Sequence, residues 1–296
     1  MPTATHLDPD TTYGVMLAAC RQLGINSADS QLIRLGENAL FRLNTEPTIV
    51  RVGRSIEESR KEVAVSLWLN RNGIPGTELA YPETSLLVID GLPVTFWKLI
   101  EVGSIAPTAD DLGYVIKALH ALPEPTSFRL PKFEPMPKID GRIEHLREKF
   151  DAGDISFIQK RKSRIEDDFC KIRSVLGWGP LHGDAHIGNL MRDKNGTIRL
   201  IDYGDFCFGP REWDVCTLAV SYKVGTVPES TYRSFANAYG FDALQWDGFP
   251  TVQAARELNM TTWLMQLGGH SKQIDAEIRK RLADLRNGST RRWEPF

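Results

Sequence analysis

Two hydrophobic periodicities divide this 296-residue chain: up to about residue 100 the apolar residues come in short strand-length runs, and beyond it they recur at helical spacing. Gln31–Leu35 and Ala39–Leu43 flank Gly36-Glu37-Asn38, and a third run, 49–52, follows the turn formers Asn44 to Pro47. This predicts an antiparallel meander. Ser55-Ile56-Glu57-Glu58 is a capping box ahead of Val63, Leu67 and Leu69, with Gly73 and Pro75 as stop signals. Ser59 and Glu62 form a competing S-x-x-E pair, but a start at Ser55 places Glu62 inside the helix. Runs 86–89 and 93–100 bracket Asp90-Gly91, a dipeptide suited to a tight hairpin because it tolerates positive φ. The expectation is a first lobe, 1–100, of five strands and one helix.

After Gly103 the pattern changes. Thr108 opens a helix whose Leu112, Val115, Ile116, Leu119 and Leu122 share a face; residues 123–137, rich in proline, read as an extended connector. Helical patterns return over 252–267 and 273–286, where Ile274, Ile278, Leu282 and Leu285 align. A mainly helical second lobe, 101–296, is expected, making the chain α+β.

With 36 basic against 38 acidic side chains, the net charge of −2 gives no general reason to expect nucleic acid or an anionic membrane as partner. Cys20, Cys170, Cys207 and Cys216 stand far apart without CxxC spacing, so reduced, buried thiols are expected. The N-terminus lacks the charged and apolar regions of a secretory leader, and no apolar run reaches the ~18 residues of a membrane span. A cytoplasmic location is expected.

The helical region is interrupted once, by runs 188–192 and 197–201 around Asp193-Lys194-Asn195-Gly196, a short hairpin. It lies within PLHGDAHIGNLMRDKNGTIRLIDYGDFCFGPREWD, residues 180–214. The hairpin and its loops can gather His182, Asp184, Asn189 and Asp202. Asp184 can accept a proton from a hydroxyl, while Asn189 and Asp202 offer the oxygen ligands that Mg²⁺ prefers. These are the parts of phosphoryl transfer. A second reading stays open: His182, Asp184 and His186 alternate, so on a strand they would share one face and could bind zinc for hydrolysis. Taken alone, Gly36-Glu37-Asn38 is an ordinary hairpin turn, and Arg51 a solvent-facing strand residue. Lys160-Arg161-Lys162 with Glu166-Asp167-Asp168 reads as a solvated helix face. Trp246, Trp263 and Trp293 read as core, with a cleft-lining role the minor alternative.

The block HGDAHIGN, followed by IDYG and GPREWD, resembles the aminoglycoside phosphotransferase family, which includes choline kinase-like enzymes and is related to the protein kinases. The resemblance extends from about Leu32 to Leu285 and is sharp between His182 and Asp214. It implies a bilobal protein kinase-like fold with a nucleotide-binding first lobe and a catalytic, substrate-binding second lobe. Its activity would be transfer of phosphate from ATP or GTP, with Mg²⁺, to a hydroxyl of a small molecule. The acceptor class is an antibiotic or related natural product: nucleoside, macrolide, aminoglycoside or sugar. Asp184 would be the catalytic Asp, oriented by His182; Asn189 and Asp202 would hold the metal, and Asp214 would support the loop. Gly36 would lie in the phosphate-covering turn, and Glu62 would pair with Arg51. Arg51 stands where the protein kinases carry lysine, a departure that leaves a non-catalytic nucleotide binder as a further alternative. Phe96 to Ile100, with Trp97 and Lys98, would form the hinge against the base, and Tyr203 replaces the Phe of DFG.

Overall fold

The computed structural model describes residues 7–288 and 292–296; the reading of the N-terminus as leader-free falls partly on residues 1–6, outside the described residues. Two compact units emerge: residues up to 107 with 125–130 and 188–206, and residues 108–124, 131–187 and 207 onward. In chain order the elements are α1 (Pro9–Gln22), β1 (Gln31–Leu35), β2 (Ala39–Leu43), β3 (Thr48–Val52), α2 (Ile56–Arg71), β4 (Leu87–Ile89) and β5 (Leu92–Lys98). Then follow α3 (Ala109–Ala121), α4 (Ile139–Leu146), α5 (Ala152–Phe169), β6 (Trp178–Leu181), β7 (Leu190–Arg192), β8 (Ile198–Leu200) and β9 (Cys207–Pro210). The last helices are α6 (Glu212–Lys223), α7 (Glu229–Tyr239), α8 (Phe249–Met265) and α9 (Lys272–Asn287).

The first unit is built on an antiparallel sheet of order β1-β2-β3-β5-β4. Strand alternation decides its chemistry. Val50 and Val52 of β3 point with Phe41, Val94 and Phe96 into a core completed by Val15, Met16, Ala19 and Cys20 of α1. Period two therefore turns Arg51 and Ile49 to the other face, where α2 lies. β5 is buried along nearly its whole length because both faces are covered: Val94 and Phe96 join the α1 core, while Trp97 packs with Val63 of α2 and Leu79. Ser55 caps α2, its hydroxyl accepting the Glu58 N–H at 3.2 Å, so Glu62 falls within the helix. The β7–β8 hairpin also belongs to this unit.

α1 is an addition to the expected one-helix lobe. Its signals are present in the sequence: Asp8 accepts the Thr11 N–H as N-cap, and Pro9 opens the first turn. Weak amphipathicity hid them, because the buried side of α1, Thr12, Val15, Met16, Ala19 and Cys20, holds no large aromatic and mixes polar with apolar residues.

The second unit is mainly helical, with β6 and β9 paired antiparallel. α3 begins with a reciprocal capping box between Thr108 and Asp111, and residues 273–286 lie within α9. Cys20, Cys207 and Cys216 are buried free thiols, but Cys170 is exposed at the end of α5, against expectation: it follows Phe169 past the last turn, where no core covers it. Among the described residues no helix is long and apolar enough to cross a membrane.

The α1–sheet core predicts a sharp contrast. Met16→Ala and Phe41→Ala should each destabilise the protein by roughly 2–5 kcal/mol, since both side chains are almost fully buried. Ile33→Ala, at a position 54% exposed, should change stability by less than about 0.5 kcal/mol. Urea denaturation monitored by circular dichroism measures all three.

Candidate active site

In the first unit, the face of β3 turned to α2 brings Arg51 onto Glu62. The guanidinium forks onto the carboxylate, Nη2 to Oε1 at 2.7 Å and Nη1 to Oε2, so Arg51 is a paired residue and not the solvent-facing one that the isolated strand suggested. With its carboxamide oxygen turned to the same guanidinium, Asn38 accepts from Nη2 at 2.7 Å and Nε at 3.3 Å. A lysine has no second edge for such a contact. Burial pushes the Glu62 carboxyl up; Arg51 opposes that shift and the charge of Asp202 adds to it.

Asn38 joins this cluster to the turn carrying Gly36. Gly36 is exposed, its N–H donating to the Asn38 carbonyl and its carbonyl accepting from Arg54. An added Cβ would meet nothing nearer than Arg34 Nε at 3.9 Å, so glycine here leaves open space and is not demanded by the backbone. Trp97 is placed differently from a surface residue: its indole is buried and donates to Thr95 Oγ1 at 2.8 Å, leaving only its main chain for a ligand. Lys98 is exposed and paired with Glu78 at 2.9 Å.

The β7–β8 hairpin carries the two proposed oxygen ligands at its ends. Asn189 precedes β7, and its carbonyl accepts the Ile201 N–H at 3.0 Å, tying it to the residue before Asp202. Asp202 adopts φ 63°, a left-handed conformation that costs a non-glycine residue of order 1–2 kcal/mol. A Cβ on Gly204 would lie 3.6 Å from Asp202 Oδ1 and 3.8 Å from Glu62 Oε1, so both carboxylates border the same small space. Lys61 donates to the Gly204 carbonyl, and burial pushes the Tyr203 phenol up to about 12, keeping it a donor. A carboxylate and a neutral amide are a donor set that fits Mg²⁺, whose remaining positions water and phosphate oxygens would fill.

In the second unit, residues 182–186 form a loop after β6, not the strand that the zinc reading requires, and His182 is buried while His186 is half exposed. No group of three His, Cys, Asp or Glu able to hold a metal ion exists among the described residues. The hydrolase alternative is set aside.

The loop is pinned from several sides. Asp214, fully buried at the start of α6, accepts from the His182 N–H at 2.7 Å and the Gly183 N–H at 2.9 Å. His120 Nε2 lies 3.2 Å from the same carboxylate, and its Nδ1 lies 2.8 Å from the Tyr239 hydroxyl. An ionised Asp214 needs donors, which assigns the ring proton to Nε2. Burial alone would raise the Asp214 carboxyl, but His120, His182 and the loop amide together hold it below its ordinary value. Trp213 Nε1 donates to the Gly183 carbonyl at 2.7 Å, and the Asp184 N–H donates to His182 Nδ1 at 3.3 Å.

On this frame the Asp184 carboxylate is half exposed, with His186 Nε2 at 3.4 Å from its Oδ2. Burial pushes its pKa up, yet the hydrogen bond and charge of His186, with the charges of Arg256 and His182, outweigh burial and bring it to about 2. Arg256 is itself locked, 4.2 Å above the Trp213 ring and donating to the Trp213 carbonyl. Sequence reasoning missed His120, Tyr239, Trp213 and Arg256. Only Trp213 had a signal, inside GPREWD; the others are joined through tertiary contacts that no spacing reveals.

The solved structures similar to this chain share its fold, the protein kinase-like α+β class. An amicoumacin kinase, in complex with AMP-PNP, Ca²⁺ and Ami, aligns at 11% identity over 96% of this chain and 97% of its own, with a TM-score of 0.73. A microcompartment-associated aminopropanol kinase aligns at 18% over 90% and 94%, TM-score 0.67. A spectinomycin phosphotransferase, in complex with ADP and its antibiotic, aligns at 17% over 92% and 93%, TM-score 0.65. Among curated proteins none matches the chain significantly. The profile of the phosphotransferase enzyme family, APH, matches residues 32–258, most of the sequence, and the chain therefore belongs to that family.

Proposed function

We propose that the protein transfers the γ-phosphoryl group of ATP or GTP to a hydroxyl of a small molecule. The observation that carries this reading is Asp184: a half-exposed, ionised carboxylate on a loop whose backbone is hydrogen-bonded to Asp214 and Trp213. Such rigidity suits a reaction in which catalysis is chiefly positioning and electrostatics. Asp184 accepts a hydrogen bond from the acceptor hydroxyl and fixes its direction of attack. At about 2 it is too weak a base to remove the proton early. It takes the proton late, when the new P–O bond has made that oxygen acidic, as a loose transition state allows.

Residues of the first unit hold the donor. Arg51, fixed by Glu62, contacts its phosphates, the Gly36 turn covers them, and the main chain at Trp97 and Lys98 meets the base. Asn189 and Asp202 would hold Mg²⁺, which when bound screens the phosphate charge. The Arg51–Glu62 pair keeps a fixed cation at this position and so supports the catalytic reading over that of a non-catalytic nucleotide binder.

The acceptor is neutral or weakly charged. The charged groups that most lower the Asp184 carboxyl, His186, Arg256 and His182, are basic, and a polycationic aminoglycoside needs carboxylates to offset its desolvation. From residue 225 to the C-terminus, eight acidic side chains face nine basic ones, with no acidic excess. Trp246, Phe249 and Trp293 are core, whereas Trp263 on α8 is 43% exposed and free to stack on a sugar, nucleobase or macrocycle. A nucleoside, macrolide or sugar fits this better than an aminoglycoside.

Asp184→Asn should lower turnover by ~10²–10⁴-fold with nucleotide affinity kept within a few-fold; turnover near wild type, in a coupled ADP assay, contradicts the assignment. Because the folded value of Asp184 lies below its ordinary 3.8, its ionised form favours the fold above that pH. The contribution vanishes as pH falls toward about 2. Any acid limb in kcat above about pH 5 then belongs to another group, and Asp184→Asn should leave such a limb in its residual rate. Asp202→Ala should abolish the metal-dependent part of nucleotide affinity, since Asn189 carries no charge; unchanged titration calorimetry excludes the metal role. Arg51→Ala should raise KM for nucleotide more than for acceptor, and steady-state kinetics with either substrate varied measures the difference.

A further inference from the structure

The residue after Asp202 is the tyrosine that stands where protein kinases carry phenylalanine, and its hydroxyl is engaged on both sides. Tyr203 is 3% exposed. Its O–H donates to the Leu200 carbonyl at 2.7 Å, and its oxygen accepts the Thr77 N–H at 2.8 Å. Leu200 ends β8; Thr77 lies in the loop after α2, next to Gly76, which forms an isolated parallel bridge with Leu200. The Leu200 N–H donates to the Pro75 carbonyl at 2.9 Å in the same seam. The phenol therefore closes a junction between the end of the hairpin and the loop that follows the helix carrying Glu62. Gly76 fits it closely: a Cβ there would fall 2.1 Å from the phenol oxygen and 3.3 Å from ring carbon Cζ. Phe206 packs edge-on against the ring, centroids 5.4 Å apart.

Asp202 lies between two such restraints. Before it, the Ile201 N–H is bound by the Asn189 carbonyl; after it, the Tyr203 phenol is fixed and Lys61 holds the Gly204 carbonyl. Its left-handed φ of 63° needs restraint from its neighbours, because an unrestrained aspartate favours other regions. We propose that the Tyr203 hydroxyl is a positioning group that holds Asp202 in its metal-binding conformation by locking the end of β8 to the loop after α2. This rests on the reading that Asp202 is a metal ligand. A phenylalanine fills nearly the same space but carries neither hydrogen bond and leaves the Thr77 N–H without this acceptor.

Two variants test the lock from opposite sides: Tyr203→Phe removes the oxygen, and Gly76→Ala pushes it out. Titration calorimetry compares binding of Mg–ATP with binding of ATP in EDTA, and thermal unfolding is followed separately. Tyr203→Phe should shrink the preference for Mg–ATP roughly three- to tenfold, the range that one hydrogen bond spans, with acceptor KM and metal-free ATP affinity unchanged. Gly76→Ala should do the same. In the double variant the new methyl occupies the space the oxygen left, so its melting temperature should lie above the value expected by adding the two single effects. A wild-type protein that prefers Mg–ATP, together with a Tyr203→Phe variant of equal preference, overturns the proposal alone, whatever the melting temperature does. A wild type with no such preference overturns the metal reading of Asp202 and this proposal with it.

Discussion

A carboxylate buried beyond the reach of water holds the loop on which the proposed chemistry rests. Asp214 accepts from two consecutive backbone amides, those of His182 and Gly183, and from the ring of His120. Charge-assisted bonds of this kind are stronger and more directional than neutral ones, and truncating a buried partner is costly. The loop they fix has its other polar groups claimed as well, by Trp213 and by the His182 side chain. On that loop the Asp184 carboxylate is half exposed, with His186 Nε2 at 3.4 Å from its Oδ2.

The first unit follows the same design with another carboxylate. Glu62 does no chemistry of its own in this account; it fixes the fork of Arg51, and Asn38 occupies the remaining edge of the guanidinium. The two anchors differ electrostatically. Asp214 sits among donors and is held below its ordinary value, whereas burial, with a smaller contribution from the charge of Asp202 near Gly204, pushes Glu62 above its own. The flat, two-edged fork of Arg51 thus serves two partners that a lysine ammonium could not serve in one plane.

Much of this was legible in the sequence, for definite physical reasons. Strand alternation put Arg51 opposite Val50 and Val52 and the Ser55 cap placed Glu62 within its helix, both by local rules, while their pairing was implied by the family resemblance, since alternation alone left Arg51 facing solvent. The Asp193 to Gly196 turn is likewise local, with Asp193 accepting from the Asn195 and Thr197 amides and Gly196 at φ 86°. The partners of the loop at 182–184 were not legible. His120 on α3, Tyr239 on α7 and Arg256 on α8 lie far from it in sequence, and each looks like an ordinary helix residue until packing brings it in. α1 was missed because its buried residues are modest in size, and the burial of the Trp97 indole was not legible because it depends on β5 being covered on both faces.

The central claim is that this chain moves a phosphoryl group onto a small hydroxylated acceptor that is not polycationic. Mass spectrometry of a panel of nucleosides, macrolides, sugars and aminoglycosides, each incubated with the protein and Mg–ATP or Mg–GTP, tests it most directly. The account predicts that a neutral or weakly charged compound gains one phosphoryl group, with one nucleoside diphosphate formed per product. Phosphorylation confined to aminoglycosides, or nucleotide consumption with no compound in the panel gaining mass, would contradict it.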